Sequence, residues 1–237
     1  MRERVWIGAV LVLAAVACGG DEPAEETMVE EESTAGAEEE TPREEEGVAI
    51  EGLMGTISEM AVQRGMEPRM GRFMRCFMER YGSVEVLGGH IDMAFRIRRD
   101  GSVLWVYPRE STIGDRETER CLLEQAGSIR FSRPQGGEAE FNYPLDLDAP
   151  EDVRPPVPWD ASRVASAVER QRGEIVDCGT GPFTVTAYVS PGGAVLAAGA
   201  STSDPAQADA LDCVAELVKG WEMPDPGSYP AKVTFQL

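Results

Sequence analysis

The spacing of cysteine, glycine and proline residues shows a pattern that occurs twice in this chain of 237 residues. The same interval of 92 positions separates Gly101 from Gly193, Cys121 from Cys213, and Pro134 from Pro226. Each copy has one more cysteine upstream of its glycine, Cys76 in the first and Cys178 in the second. The fifth cysteine, Cys18, follows an N-terminal apolar segment. The cysteines therefore divide into one isolated residue and one pair in each copy.

The first 17 residues have the features of a bacterial lipoprotein signal peptide. Arg2 and Arg4 precede an apolar run over residues 5–16, which is too short to span a bilayer, since spanning takes about 20 residues. Ala15-Val16-Ala17 before Cys18 resembles the lipobox, in which the cysteine is acylated and becomes the mature N-terminus. We expect a lipid anchor at Cys18 in the bacterial cell envelope, in the outer membrane and facing the periplasm. An ordinary signal peptide with a chance cysteine is the alternative.

An acidic segment separates Cys18 from the repeats. Residues 19–47 carry thirteen Asp and Glu residues and one arginine, a net charge of −12 out of −20 for the whole chain. Because this segment has no aromatic residue, it cannot bury enough apolar surface to fold. We predict a disordered tether over residues 18–47, roughly 30 Å in root-mean-square span; an acidic docking tail for a basic partner is the alternative. The acidic balance argues against nucleic acid as a partner, because phosphates carry the same charge.

The first repeat, residues 48–148, has the pattern of helix, hairpin, helix and strand. Apolar residues with helical spacing predict one buried helix face: Met70, Phe73, Met74, Phe77, Met78 and Tyr81. Alternation over residues 91–97 predicts a strand with one buried face, and Asp100-Gly101 predicts the turn of a hairpin. A second helix is expected over residues 115–127 and a final strand over residues 139–147.

The second repeat, residues 159–237, follows the same order after a proline-rich linker at residues 149–158. The apolar residues of its first predicted strand stand at the positions equivalent to those of the first repeat: Phe183, Val185, Ala187 and Val189. The predicted fold class is α+β, with two tandem repeats. In each repeat the last strand or the hairpin is a candidate sheet edge for pairing with a partner strand.

The paired cysteines predict two disulfides, Cys76–Cys121 and Cys178–Cys213, each joining two helices of one repeat. An exported chain makes disulfides the default interpretation. A redox-active thiol site is the alternative, but such sites usually have a close pair such as Cys-x-x-Cys, and the sequence has none.

Three motifs of the first repeat lie at its first cysteine, its hairpin turn and its last loop: Cys76-Phe77-Met78-Glu79, Asp100-Gly101-Ser102-Val103 and Phe131-Ser132-Arg133-Pro134-Gln135-Gly136-Gly137. Together with the strand at residues 91–97, they resemble the AgmX/PglI C-terminal domain of myxobacterial envelope proteins, which is similar to the TonB C-terminal domain. In the second repeat, Met223-Pro224-Asp225-Pro226-Gly227 resembles the same last loop. The resemblance implies an α+β module used in envelope protein interactions, partly in gliding machinery, without catalytic residues.

Residues for catalysis or metal binding are scarce. His90 is expected on a strand surface. Because it is the only histidine, a multi-histidine zinc site is excluded. The glycines lie in turns and form no phosphate-binding loop. We therefore expect no catalytic residue, no metal, no cofactor and no small-molecule substrate.

One surface feature is a set of arginines in the first repeat that form either a solvated surface or an anion-binding face: Arg69, Arg72, Arg75, Arg96 and Arg98.

These observations favour a non-enzymatic, lipid-anchored module of the cell envelope that binds a protein partner, as part of an envelope or motility assembly. The sequence does not identify the partner. A TonB-like component of energy transduction or transport is the alternative, and an uncharacterised envelope enzyme is a further one.

Overall fold

Helices and strands follow one another in a mixed α+β arrangement, as the sequence predicts. The computed structural model describes residues 54–237, so the signal sequence, Cys18 and the acidic tether lie outside the described residues. The described residues belong to one compact unit. The helices of the described part are α1 Glu59–Met66, α2 Met70–Tyr81, α3 Arg116–Gly127, α4 Ala165–Gln171 and α5 Leu211–Lys219. The strands are β1 Gly89–Ile97, β2 Val103–Ser111, β3 Ala139–Leu147, β4 Val157–Trp159, β5 Thr184–Val189, β6 Val195–Ser201 and β7 Ala231–Gln236.

Each repeat forms its own sheet, in which one central strand, β1 or β5, pairs antiparallel with a neighbour on each side. The strand order is β2-β1-β3 in the first sheet and β4-β7-β5-β6 in the second. β1 with β2, and β5 with β6, form the two predicted hairpins. Phe95 lies opposite Phe141 in the first sheet, and Ala187 lies opposite Val233 in the second. Since each member of the second pair follows its counterpart by 92 positions, the two sheets share one strand register.

The hairpin turns also recur at equivalent positions. Gly101 has a φ of 87° and Gly193 a φ of 89°, a conformation that favours glycine. The N–H of Phe131 donates to the Gly101 carbonyl oxygen at 2.9 Å, and the N–H of Met223 donates to that of Gly193 at the same distance. A Cβ at either glycine would collide with the carbonyl oxygen of the same partner. The two glycines therefore stand where the returning chain crosses close to the turn.

Two apolar cores fill the space between each sheet and its helices. In the first repeat the fully buried side chains come from both long helices and the central strand, and include Phe73, Phe77, Phe95 and Leu122. In the second repeat they include Phe183, Val185, Leu211 and Val233. The inward residues of β1 and β5 are thus the alternating apolar residues that the sequence predicts.

The predicted buried face of α2 is only partly right. The helix buries Phe73, Cys76 and Phe77, but Met70, Met74 and Met78 are exposed. Since successive helical residues are about 100° apart, Met78 lies about 200° around the helix from Cys76. The disulfide between Cys76 and Cys121 of α3 holds that side of the helix inward, so the methionines face solvent.

The proline-rich linker ends in a strand that the sequence does not predict. β4 pairs in parallel with β7, with Val157 opposite Ala231 and Trp159 opposite Val233. This pairing covers the outer side of β7, so of the two candidate edges in the second repeat the last strand is internal, whereas the hairpin strand β6 stands at the end of the sheet. In the first repeat, β3 pairs only with β1 among the strands of residues 54–237.

The two repeats pack directly against each other. Tyr188 of β5 is completely buried; its hydroxyl donates to the carbonyl oxygen of Gly88 at 2.9 Å and accepts from the Gly88 N–H at 3.1 Å. Thr186 is buried as well and donates to the carbonyl oxygen of Ser111 at 3.3 Å. The second face of β5 is therefore an inter-repeat contact, which its Thr and Tyr residues do not reveal in the sequence.

In the part of the chain that is described, every helix is too short or too polar to cross a membrane.

Candidate protein-interaction surface

Both disulfides join the predicted cysteines. Cys76 of α2 is bonded to Cys121 of α3, with their Cα atoms 5.7 Å apart. Cys178, which follows a 3₁₀ turn, is bonded to Cys213 of α5, with a Cα separation of 5.5 Å. Each bond fixes the helix that precedes the hairpin to the helix that follows it. In the first repeat this bond holds α2 in place on the surface of the molecule.

A partly buried ion pair holds the C-terminal end of α2. Arg80 donates two hydrogen bonds to the carboxylate of Asp115, at 3.0 and 3.1 Å. Asp115 is the N-cap of α3, and it also accepts from the N–H and the hydroxyl of Thr118. These bonds to Asp115 raise the pKa of Arg80, and the neighbouring charges of Asp115 and Glu117 act in the same direction. The guanidinium therefore joins the end of α2 to the start of α3.

The solvent side of α2 carries a row of exposed apolar side chains next to two arginines. Met70, Met74 and Met78 are 37, 47 and 50% exposed, and their spacing of four places them along one side of the helix. Arg72 and Arg75 are exposed beside them. We call these five residues the methionine face. Methionine is flexible and polarizable and is used often in adaptable binding surfaces.

The arginines that the sequence singles out do not form one face. Arg72 and Arg75 lie on α2 and Arg69 lies directly before it, whereas Arg96 lies on the side of β1 opposite to the buried Phe95. Arg96 is already paired, with Glu138 at 2.7 Å and with Glu140 at 3.5 Å, and Arg98 donates to the carbonyl oxygen of Val103. Only the α2 arginines combine with exposed apolar surface.

The arginines on and directly before α2 make weak contacts within their own repeat. Arg69 donates to the carbonyl oxygen of Ser128 and Arg72 donates to Gln125 of α3, each at 3.5 Å. Since hydrogen bonds of this length are weak, both guanidinium groups keep most of their donors for another partner.

The outer edge of β3 is a second accessible feature. The strand at the equivalent position of the other sheet, β7, is covered by β4, but β3 has no such neighbour within residues 54–237. Pro144 lies in β3, and proline is typical of edge strands because it lacks an N–H. The first repeat therefore offers an edge that the second repeat fills with its own linker.

A buried carboxylate lies where the two repeats meet. Glu119 of α3 is fully buried; it accepts a hydrogen bond from Ser111 at 2.6 Å and one from the N–H of Ala200 at 3.2 Å. Burial raises the pKa of Glu119, while the charge of Arg116 and these hydrogen bonds oppose that rise. A Cβ at position 199 would collide with this carboxylate, so Gly199 permits the close approach. Glu119 thus ties the second sheet to α3 and is not accessible to a partner.

The remaining predicted residue has a local role. His90 is the second residue of β1, and its Nδ1 lies 2.8 Å from Asp146 of β3 at the surface. The sequence alone does not reveal the methionine face, because helical spacing groups all six apolar residues of α2 together. The position of Cys76 between Phe73 and Phe77 is the signal that identifies which side packs inward.

Comparison with protein-family models, curated proteins and solved structures finds no match to this chain. The resemblance to the AgmX/PglI C-terminal domain therefore stays a prediction from the sequence motifs.

Proposed function

We propose that this chain is a lipid-anchored protein of the bacterial cell envelope that binds a protein partner, and that it acts by binding rather than by catalysis. Cys18 serves as the anchor, and the acidic segment over residues 19–47 spaces the folded unit from the membrane. The lipobox-like residues before Cys18 and the two disulfides support an exported location, because disulfides persist in oxidising compartments. Each repeat is a TonB-C-like module in this proposal.

The observation that carries the proposal is the methionine face. Three large apolar side chains stay exposed in a row on a helix whose opposite side is well packed. Contiguous exposed apolar surface with a charged border is typical of protein-binding sites. The exposed charged side chains beside this row are Arg72, Arg75 and Glu79. Since two of the three are positive, the complementary surface is an apolar patch with a mainly acidic border.

The edge of β3 supports the same function. An extended partner segment that adds to a sheet edge gains main-chain hydrogen bonds without remodelling the sheet. β4 already adds to the second sheet in this way at residues Val157–Trp159. A partner strand on β3 therefore extends a mode of pairing that the chain itself uses.

A photo-crosslinking amino acid at position 74, introduced in living cells, tests this proposal. We expect one discrete protein adduct. The additional changes Met70→Glu and Met78→Glu should reduce its yield about tenfold, because a few anchoring side chains carry most of the binding energy at protein interfaces. The adduct is measured by immunoblot and its partner peptide by mass spectrometry.

The matched control places the same crosslinker at Val176, which is 69% exposed and is the most exposed large apolar residue outside α2 within residues 54–237. Crosslinking from position 176 should not give the adduct. Since both glutamates replace exposed side chains, the melting temperature should stay unchanged. Equal adduct yields from positions 74 and 176, or a yield from position 74 that the glutamates do not change, would contradict the proposal.

A further inference from the structure

A cavity opens between the proline-rich linker, the first repeat and the last strand of the second repeat. Its volume is about 870 Å³, within the range of small-molecule binding sites, which also tend to lie at domain boundaries. Its walls are largely apolar and include Val86, Pro150, Val153, Pro156 and Trp159. This cavity uses no residue of the methionine face.

One cationic side chain enters this apolar cavity. Lys232 of β7 is half-buried, and its Nζ donates to the carbonyl oxygen of Gly88 at 2.5 Å. The amine also lies 5.2 Å from the centre of the Tyr188 ring. Within residues 54–237, the Lys232 amine forms no ion pair with a carboxylate. An ammonium group has three donors, so two remain for a ligand.

In the first repeat, the equivalent position holds an ion pair. The positions equivalent to Tyr188 and Lys232 are Arg96 and Glu140, which also face each other across two strands. There the guanidinium and the carboxylate are 3.5 Å apart. In the second repeat the acid is replaced by lysine and the base by tyrosine, which leaves a positive charge without its counter-ion.

The choice of lysine is also unusual for this chain. Of its 22 basic residues, 20 are arginine, and Lys219 and Lys232 are the only two lysines. Burial lowers the pKa of Lys232 from its ordinary value of 10.5 to about 8. The amine is therefore charged at neutral pH, in surroundings that favour a partner of opposite charge.

We propose that the cavity binds a small amphiphile with an apolar body and one carboxylate, which pairs with Lys232. The apolar walls hold the body, and the ammonium group holds the carboxylate. A single negative charge fits better than two, because the cavity also has three exposed acids and only one other base at its rim: Asp148, Glu151, Asp160 and Arg154. Arg154 itself is stacked on Tyr229, 4.3 Å from the ring centre.

Calorimetry with decanoate tests the site on residues 18–237 carrying Cys18→Ser, which keeps the chain free of lipid and detergent. We expect one site for decanoate, and affinity about tenfold lower for decanol, because decanol cannot form a charged hydrogen bond. Amide shifts of Gly88, Gly89 and Lys232 in NMR spectra locate the ligand. Decyl phosphate should bind more weakly than decanoate.

Lys232→Met keeps the apolar stem and should reduce the affinity for decanoate about tenfold, whereas the matched variant Lys219→Met should not change it. A second readout needs no variant: binding should weaken as the pH rises through about 8, where the amine loses its charge. Absence of binding, equal affinity for decanol, tighter binding of decyl phosphate, or loss of affinity in both lysine variants would overturn the proposal.

Discussion

Replacement of Cys178 and Cys213 by alanine is expected to lower the free energy of unfolding by about 4 kcal/mol, because the bond closes a long loop in the unfolded chain. The two cysteines are 35 residues apart. Cys178 is only half-buried and Cys213 is exposed, so the replacement leaves little cavity and the loss comes mainly from the unfolded state. Urea unfolding of the variant and of the parent chain measures it.

The first disulfide gives a matched comparison. Cys76 and Cys121 are 45 residues apart, and Cys76 is buried, so its replacement should cost at least as much. Reduction of the parent chain should reproduce both losses together. Two results would contradict the view that each disulfide is the main covalent constraint on its repeat. One is a loss of less than about 1 kcal/mol in the free energy of unfolding when either pair is replaced, and the other is a parent chain whose unfolding does not shift on reduction.

Arg80→Met should lower the free energy of unfolding by about 3 kcal/mol, because it leaves the buried carboxylate of Asp115 without its cation. Asp115 is 2% exposed, and only the bonds from Thr118 remain to it in the variant. Since the pair joins α2 to α3, the loss should appear in urea unfolding and in faster amide exchange at the end of α2.

Two further variants separate the charge from the side chain. Arg75→Met changes an exposed arginine on the same helix and should shift stability by no more than about 0.5 kcal/mol. Asp115→Asn in the Arg80→Met background removes the unpaired charge and keeps a helix-capping side chain, so it should restore part of the lost stability. If Arg80→Met costs no more than Arg75→Met, the pair does not stabilise the helix contact.

The sheets and disulfides were accessible from the sequence because their signals are periodic. Alternation in residues 91–97 defines the inward side of β1, and the interval of 92 positions transfers the assignment to β5. The cysteines pair as predicted because each lies in or next to one of the two helices that flank a hairpin.

The exposed surfaces were less accessible, because they depend on which elements meet in three dimensions. Helical periodicity places Met74 beside Phe73 and Phe77 without telling which of them reaches the core. Tyr188 stands on the polar side of its strand by alternation, yet it is buried because the first repeat packs on that side. The strand at Val157–Trp159 forms within a proline-rich segment, where composition favours a linker.

The most direct test of the account is mass spectrometry of the protein isolated from cell envelopes and digested without reduction. We expect peptides that join Cys76 to Cys121 and Cys178 to Cys213, together with an acylated N-terminal peptide that begins at Cys18. Free thiols at the four paired positions, a peptide that joins Cys76 to Cys178, or an N-terminal peptide that retains residues 1–17 would contradict it.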